Sequence, residues 1–335
     1  VDSTDKQNYR KRLSPDTYKA GVLAGDRFIL ARAITLVEST LASDREIASW
    51  LLNEIEPFTG NSIRLGITGV PGVGKSTFIE AFGEHLLNKG HKLAILTIDP
   101  SSSKTNGSIM GDKTRMETLV FHPEVYIRPS PSGNALGGIT AATRNVRALC
   151  EAAGFDIVII ETVGVGQSET AVKNLVDYFL LLMLAGAGDE LQGMKRGIME
   201  MADSLLITKA DGENLQKAKM ARLEYANALH LMPPSSSKWT PIVQTCSAIT
   251  GEGIGNVWNT ITAYVQTTKT NGFWEKNRKV QNIEAFHETL EVELMRKLYN
   301  NPENVAEVLA FEKRVAAGES ATAAASEVLK KIMKF

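Results

Sequence analysis

The sequence holds little that points to a metal, a membrane or a polyanion. It has two cysteines among 335 residues, Cys150 and Cys246. Neither belongs to a CxxC or Cys/His cluster of metal-ligand spacing, so both are expected to be buried free thiols. Five scattered histidines form no His-rich tract, which argues against a metal-insertion role. Charge of one sign is also missing: 37 Lys plus Arg against 38 Asp plus Glu leave a net charge of -1, so no global field recruits nucleic acid or an anionic membrane. The longest apolar run, Phe179 to Ala187, is too short to span a bilayer and reads as a buried strand with its exit loop. The opening "VDSTDKQNYR" shows no signal-peptide pattern and no initiator Met, which reads as a trimmed start, and the cytoplasm is the expected location.

What is present is core-forming material, 43% hydrophobic, enough for one generous domain or two modest ones. Residues 1–60 show helical spacing: Val22, Phe28, Ile29, Ala33 and Leu36 are expected along one face, and "SDREIASWLLNEIE" opens on a Ser/Asp cap. From residue 61 to 268 the texture changes to short β-branched runs, "IRLGIT", "KLAILTID", "VYIRPS", "DIVIIETV", "YFLLLMLA", "SLLITKAD" and "PIVQTCSA", separated by helical stretches. Strands alternating with helices predict an α/β fold with a doubly wound, mostly parallel sheet. Residues 269–335 return to helix, with Ile283, Phe286, Leu290, Leu294 and Leu298 at three- and four-residue spacings. Such a stripe packs either on its own domain or on another subunit.

"GVPGVGKST", Gly69 to Thr77, fits the phosphate-binding pattern G-x-x-x-x-G-K-[ST]. A strand precedes it and a helix follows, so backbone N–H groups and the helix N-terminus face one anion. Gly69, Gly72, Val73, Gly74, Lys75, Ser76 and Thr77 make up the phosphate-binding set. The glycines allow close wrapping, Lys75 brings a point charge to the outer phosphates, and the Ser76 hydroxyl is placed to ligate Mg²⁺. Asp99, Asp112 and Glu161 are the candidate carboxylates beside it, and the Gly164 N–H is placed to sense a γ-phosphate.

Base choice rests on "LLITKADG". Thr208, Lys209 and Asp211 match [NT]KxD, in which the Asp carboxylate accepts guanine N1–H and its exocyclic amine; adenine offers no matching pair. Ser247-Ala248 in "TCSAITGEG" resembles the element whose backbone N–H reaches guanine O6. The hydrolytic apparatus looks incomplete. Small GTPases usually carry Asp where this chain has Glu161 and a water-orienting Gln where it has Val165; Gln167 lies three residues after Gly164, and Val70 stands where MinD-type enzymes place an extra Lys. Slow intrinsic hydrolysis, accelerated by a partner that orders residues 186–197, is the expectation.

"GVPGVGKSTFIEA", "GSIMGDKTRM", "ETVGVGQSE", "GAGDELQGMKRGIME" and "TKADG" together resemble the MeaB/ArgK family of P-loop GTPases. The resemblance implies a homodimeric GTPase that chaperones an adenosylcobalamin-dependent methylmalonyl-CoA mutase, binding GTP/GDP and Mg²⁺, with no nucleic acid or membrane partner. It places Ser76, Asp99, Asp112 and Glu161 around Mg²⁺, and Asp211 with Ser247-Ala248 on guanine. Lys195, in an extra switch loop with Asp189 and Glu190, joins Lys75 and Glu161 as a catalytic candidate. The residues 269–335 become a dimerisation arm. Lys104-Thr105-Asn106 depart from the more hydrophobic filling expected of the first switch. Two other roles stay open: a kinase acting on a periplasmic amino-acid-binding protein in arginine and ornithine transport, for which no Asp is convincingly placed as general base, and a GTP-dependent scaffold.

Overall fold

The computed structural model describes residues 12–98, 116–130, 136–162, 168–186, 196–233 and 235–333. Three helices come first, α1 (Pro15–Leu23), α2 (Arg27–Val37) and α3 (Ala42–Ile55). Seven strands follow among the described residues: β1 (Ile63–Gly69), β2 (Leu93–Ile98), β3 (Val125–Ser130), β4 (Ile157–Thr162), β5 (Tyr178–Met183), β6 (Ser204–Ile207) and β7 (Ile242–Thr245). Each of the seven predicted apolar segments supplies one. They form a single sheet in the order β3-β2-β4-β1-β5-β6-β7, with every neighbouring pair parallel.

Parallel neighbours need crossovers, and helices provide them. These are α4 (Lys75–Leu87), α5 (Glu117–Val120), α6 (Leu136–Ala152), α7 (Ser168–Lys173), α8 (Arg196–Met201) and α9 (Leu215–His230), and α10 (Ile254–Thr270) follows the last strand. Because both faces are covered, β2, β4 and β5 are buried at every position, which is why they read as continuous apolar runs. Alternate side chains still go opposite ways. Leu65, Ile67, Ile95, Ile159, Leu180 and Leu182 join Phe78 and Phe82 of α4 and Val257 and Ile261 of α10 in one core layer. Leu96, Val158, Ile160, Phe179 and Leu181 join α6, α9 and the N-terminal helices through Leu30, Ile34, Leu51 and Ile55.

Two N-terminal expectations need correction. Val22 and Leu36 do not share one helix face: the chain turns at Gly25, φ +70°, and Asp26 caps a new helix by accepting from the Phe28 and Ile29 amides. That new helical phase buries Ala33 and Leu36 and leaves Phe28 69% exposed, beside the guanidinium of Arg32. Nor does a Ser/Asp side chain cap α3; Leu41 occupies that position without a side-chain bond. Asp44 lies inside the first turn, where it complements the helix dipole and pairs with Arg12.

Beyond the sheet come α11 (Phe273–Asn300), α12 (Pro302–Ala316) and α13 (Ala321–Met333), and the chain divides into two compact units, Val1–Lys279 and Val280–Phe335. In the first, a buried ionic network lies around the start of β1 and β5. Arg64 donates to both oxygens of Glu151 at 2.6 and 3.0 Å, and Ser62 bonds the same carboxylate at 2.7 Å. Asp177 accepts from the Arg64 amide at 2.9 Å and from Arg278. In the second unit, α12 and α13 close a small core around Phe311, Ala324 and Val328. The α11 residues Ile283, Phe286, Leu290 and Leu294 are all exposed. Among the described residues no helix is long and apolar enough to cross a membrane.

Candidate nucleotide site

The chain leaves β1 toward β2 and β3 on one side of the sheet, and leaves β4 toward β5 on the other. Loops that part in this way open a crevice at the carboxyl ends of the strands, which is where doubly wound sheets bind ligands. Residues 69–77 sit there, directly after β1.

Close packing shapes this loop. A Cβ on Gly69 would meet the Leu182 carbonyl oxygen of the neighbouring strand at 2.6 Å, so only glycine fits. Gly74, φ +92°, then starts α4 without any side-chain cap. A helix start without a side-chain cap is the kind of N-terminus that suits an anion. Val73 is fully buried and fastens the loop into the core, while Lys75 and Ser76 are half-buried and Gly72 and Thr77 exposed. The Lys75 ammonium lies over the loop, donating to the Gly69 and Val70 carbonyls at 2.8 and 3.3 Å. Next door, Thr68 and Thr162 join the ends of β1 and β4 through a 2.6 Å hydroxyl bond.

Glu161 is the penultimate residue of β4, in register with Ile67 and Thr97, and buried at 8% exposure. A carboxylate in that position is costly unless something cationic or donating faces it. The Glu161 carboxylate and the Ser76 hydroxyl are both hard oxygens, the donor type that Mg²⁺ takes when phosphates and waters complete its shell. Asp99, Asp112, Gly164, Gln167, Asp189, Glu190 and Lys195 lie outside the described residues.

On the other side of the phosphate loop, β6 delivers Thr208, Lys209 and Asp211. The Thr208 hydroxyl donates to the Val73 carbonyl at 2.7 Å and Lys209 Nζ to the Gly72 carbonyl at 2.9 Å, so both reach across to the phosphate loop. Lys209 adopts φ +54°, unusual for a residue with a side chain, and Asn214 steadies the turn by donating to its carbonyl at 2.7 Å. The Ala210 amide donates to the Cys246 carbonyl at 2.9 Å, joining this loop to the one after β7. There Ser247 Oγ donates to Asp211 Oδ2 at 2.5 Å and accepts from the Thr250 amide at 3.1 Å. The Ser247 amide goes to the Glu252 carbonyl at 3.0 Å. Burial, reinforced by the Asp211 charge, pushes the Cys246 thiol up to about 12, so it stays neutral.

The structure thus brings Gly69, Gly72, Val73, Gly74, Lys75, Ser76, Thr77, Thr208, Lys209, Asp211, Ser247 and Ala248 to the ends of β1, β6 and β7, with Glu161 beside them at the end of β4. Sequence reasoning did not foresee the Thr208 and Lys209 bonds to the phosphate loop, nor the Asn214 and Thr68/Thr162 braces. Asn214, three residues after Asp211 at the start of a helix, carried a weak signal as a turn residue.

Comparison with known proteins agrees with this fold. The family model described as "Methylmalonyl Co-A mutase-associated GTPase MeaB" matches residues 30–303. A "Probable GTPase" of Mycobacterium tuberculosis is 48% identical over 318 residues, covering 95% of this chain and 94% of that protein. The mouse protein "Methylmalonic aciduria type A homolog, mitochondrial" is 40% identical over 346 residues, covering 99% and 83%. A crystal structure of a "LAO/AO transport system kinase" superposes with a TM-score of 0.74 at 35% identity, covering 96% of this chain and all of that one.

Proposed function

Because this chain belongs to the family of methylmalonyl-CoA mutase-associated GTPases, we propose that it couples its GTP cycle to the loading and protection of adenosylcobalamin in methylmalonyl-CoA mutase. The observation that carries the reading is the bonding of Thr208 and Lys209 to the phosphate loop through the Val73 and Gly72 carbonyls, on a chain that matches the family model over residues 30–303.

In this reading the amides of residues 72–76 and the Lys75 ammonium hold the phosphates, moving Lys75 from the Gly69 and Val70 carbonyls to the outer oxygens. Ser76 and Glu161, with Asp99 and Asp112, would hold Mg²⁺, which neutralises phosphate charge when bound. Asp211, oriented by Ser247, accepts from guanine, and the Ala248 amide serves O6. Lys195 supplies transition-state charge once the partner orders residues 186–197, and partner acceleration of about 10² or more fits that contribution. The exposed stripe Ile283, Phe286, Leu290 and Leu294 is covered by a second copy of the chain, making a homodimer. The reaction takes place in the compartment of the mutase, the cytoplasm in a cell without organelles.

The test is the GTP hydrolysis rate of the purified protein, with and without methylmalonyl-CoA mutase, and under excess ATP. A slow rate, indifferent to ATP and raised strongly by the mutase, is expected. An unresponsive rate overturns the mutase assignment, and a stable phosphoprotein formed from labelled nucleotide and an amino-acid-binding protein would replace it with a kinase.

A further inference from the structure

Both donors of Thr208, hydroxyl and amide, are directed at the protein itself. Thr208 is 4% exposed, and its hydroxyl has a single proton. That proton faces the Val73 carbonyl at 2.7 Å, with the Met183 carbonyl second at 3.3 Å. The Thr208 amide also goes to Met183, at 2.9 Å. Lys209 Nζ is held by Gly72, the Ala210 amide by Cys246, the Ser247 hydroxyl by Asp211 and the Ser247 amide by Glu252.

Guanine offers donors on one edge, N1–H and the 2-amino group, and acceptors on the other, N7 and O6. An asparagine at position 208 would bring two N–H donors and could serve the loop carbonyl and N7 together; threonine brings one donor, and the carbonyl takes it. We propose that the base is selected through its donor edge by Asp211 while N7 goes unread, and that Thr208 is a positioning residue tying the base loop to the phosphate loop. This rests on the guanine reading above.

The measurement is competitive binding against a fluorescent GDP on the intact protein, using GTP, 7-deaza-GTP, ITP and ATP. 7-Deaza-GTP replaces N7 by C–H and is expected to bind within about twofold of GTP, whereas ITP, lacking the 2-amino group, weakens by about tenfold. Thr208→Val leaves the Val73 carbonyl buried without its donor; it is expected to weaken GTP and 7-deaza-GTP by the same factor, about tenfold, with Thr208→Ser restoring both. A drop of tenfold or more for 7-deaza-GTP on the unaltered protein overturns the proposal while leaving guanine selection intact. Thr208→Val binding as tightly as the unaltered protein removes the positioning role. If ATP competes as well as GTP, the guanine reading fails and the proposal falls with it.

Discussion

Arg278 and Asp177, 101 residues apart in sequence, form a two-pronged ion pair in which Nε and Nη2 each reach a carboxylate oxygen at 2.7 Å. Nη1 and Nη2 of Arg278 also donate to the Gly60 and Ser62 carbonyls, and Trp274 lies 4.5 Å beneath the guanidinium. The root of α11 is therefore fixed to the amino-terminal edge of the sheet, away from the nucleotide. Arg278→Ala is expected to cost about 3–5 kcal/mol, because the buried Asp177 charge loses its ion-pair partner and keeps the Arg64 amide bond. Arg278→Lys recovers little of it, since an ammonium cannot serve both carboxylate oxygens and both carbonyls in one plane. Urea unfolding curves of the two variants check this, and full recovery by lysine would contradict it.

Glu151 makes the same edge sensitive to acid. Burial alone would raise its carboxyl, but the Arg64 bonds and charge, with Arg147 and Ser62, outweigh burial and hold it at about 2, below the ordinary 4.5. A carboxyl depressed in the folded state adds stability above 4.5 that is lost as the pH falls toward 2, here of the order of a few kcal/mol. Glu151→Gln is expected to lower stability at pH 7 and to flatten its slope between pH 4.5 and 2. Chemical denaturation across that range reads both effects, and an unchanged slope would count against the assignment.

Lys75 is half-buried and donates to the Gly69 and Val70 carbonyls of the loop it serves. Lys75→Ala is expected to weaken GTP binding by about 10² or more, at the upper end for charge-assisted hydrogen bonds, with the melting temperature in the absence of nucleotide shifted only slightly. Calorimetric titration beside thermal unfolding separates the two, and tight GTP binding by the variant would exclude the proposed lysine role.

Asp211→Asn exchanges an acceptor pair for one acceptor and one amide donor. Guanine then loses a partner, while xanthine, with a carbonyl in place of the 2-amino group, gains one. GTP affinity is expected to fall by about 10² and XTP affinity to rise toward the original GTP value. Ser247, which donates to Asp211 at 2.5 Å, keeps a carbonyl acceptor after the change and need not move. Equal loss of both nucleotides would show that Asp211 supports the loop instead of reading the base.

The strands were legible because burial on both faces writes each as an unbroken apolar run, and the phosphate loop because glycine, lysine and hydroxyl requirements there are strict. Helix phase was harder. Phe28 and Ala33 share one helix, but five residues set them about 140° apart, so burying Ala33 turns Phe28 outward, while Gly25 and the capping Asp26 break the phase that Val22 would have shared. Asp44 looked like a cap because nothing local revealed that the helix begins before it, at Ala42, with Leu41 in the cap position. In the site, side-chain identities were readable and their mutual bonds were not. Thr208 reads as a base contact, and only the fold brings Val73 within 2.7 Å of it.

The separation between Thr208 and Val73, 135 positions, bears on how the protein is made. A chain leaving the ribosome exposes its complete phosphate loop long before the residues that brace it, and Asp211 and Ser247 emerge later still. A braced site thus waits until β6 and β7 have joined that side of the sheet, and a chain cut short before Thr208 would keep the phosphate-loop motif without its brace.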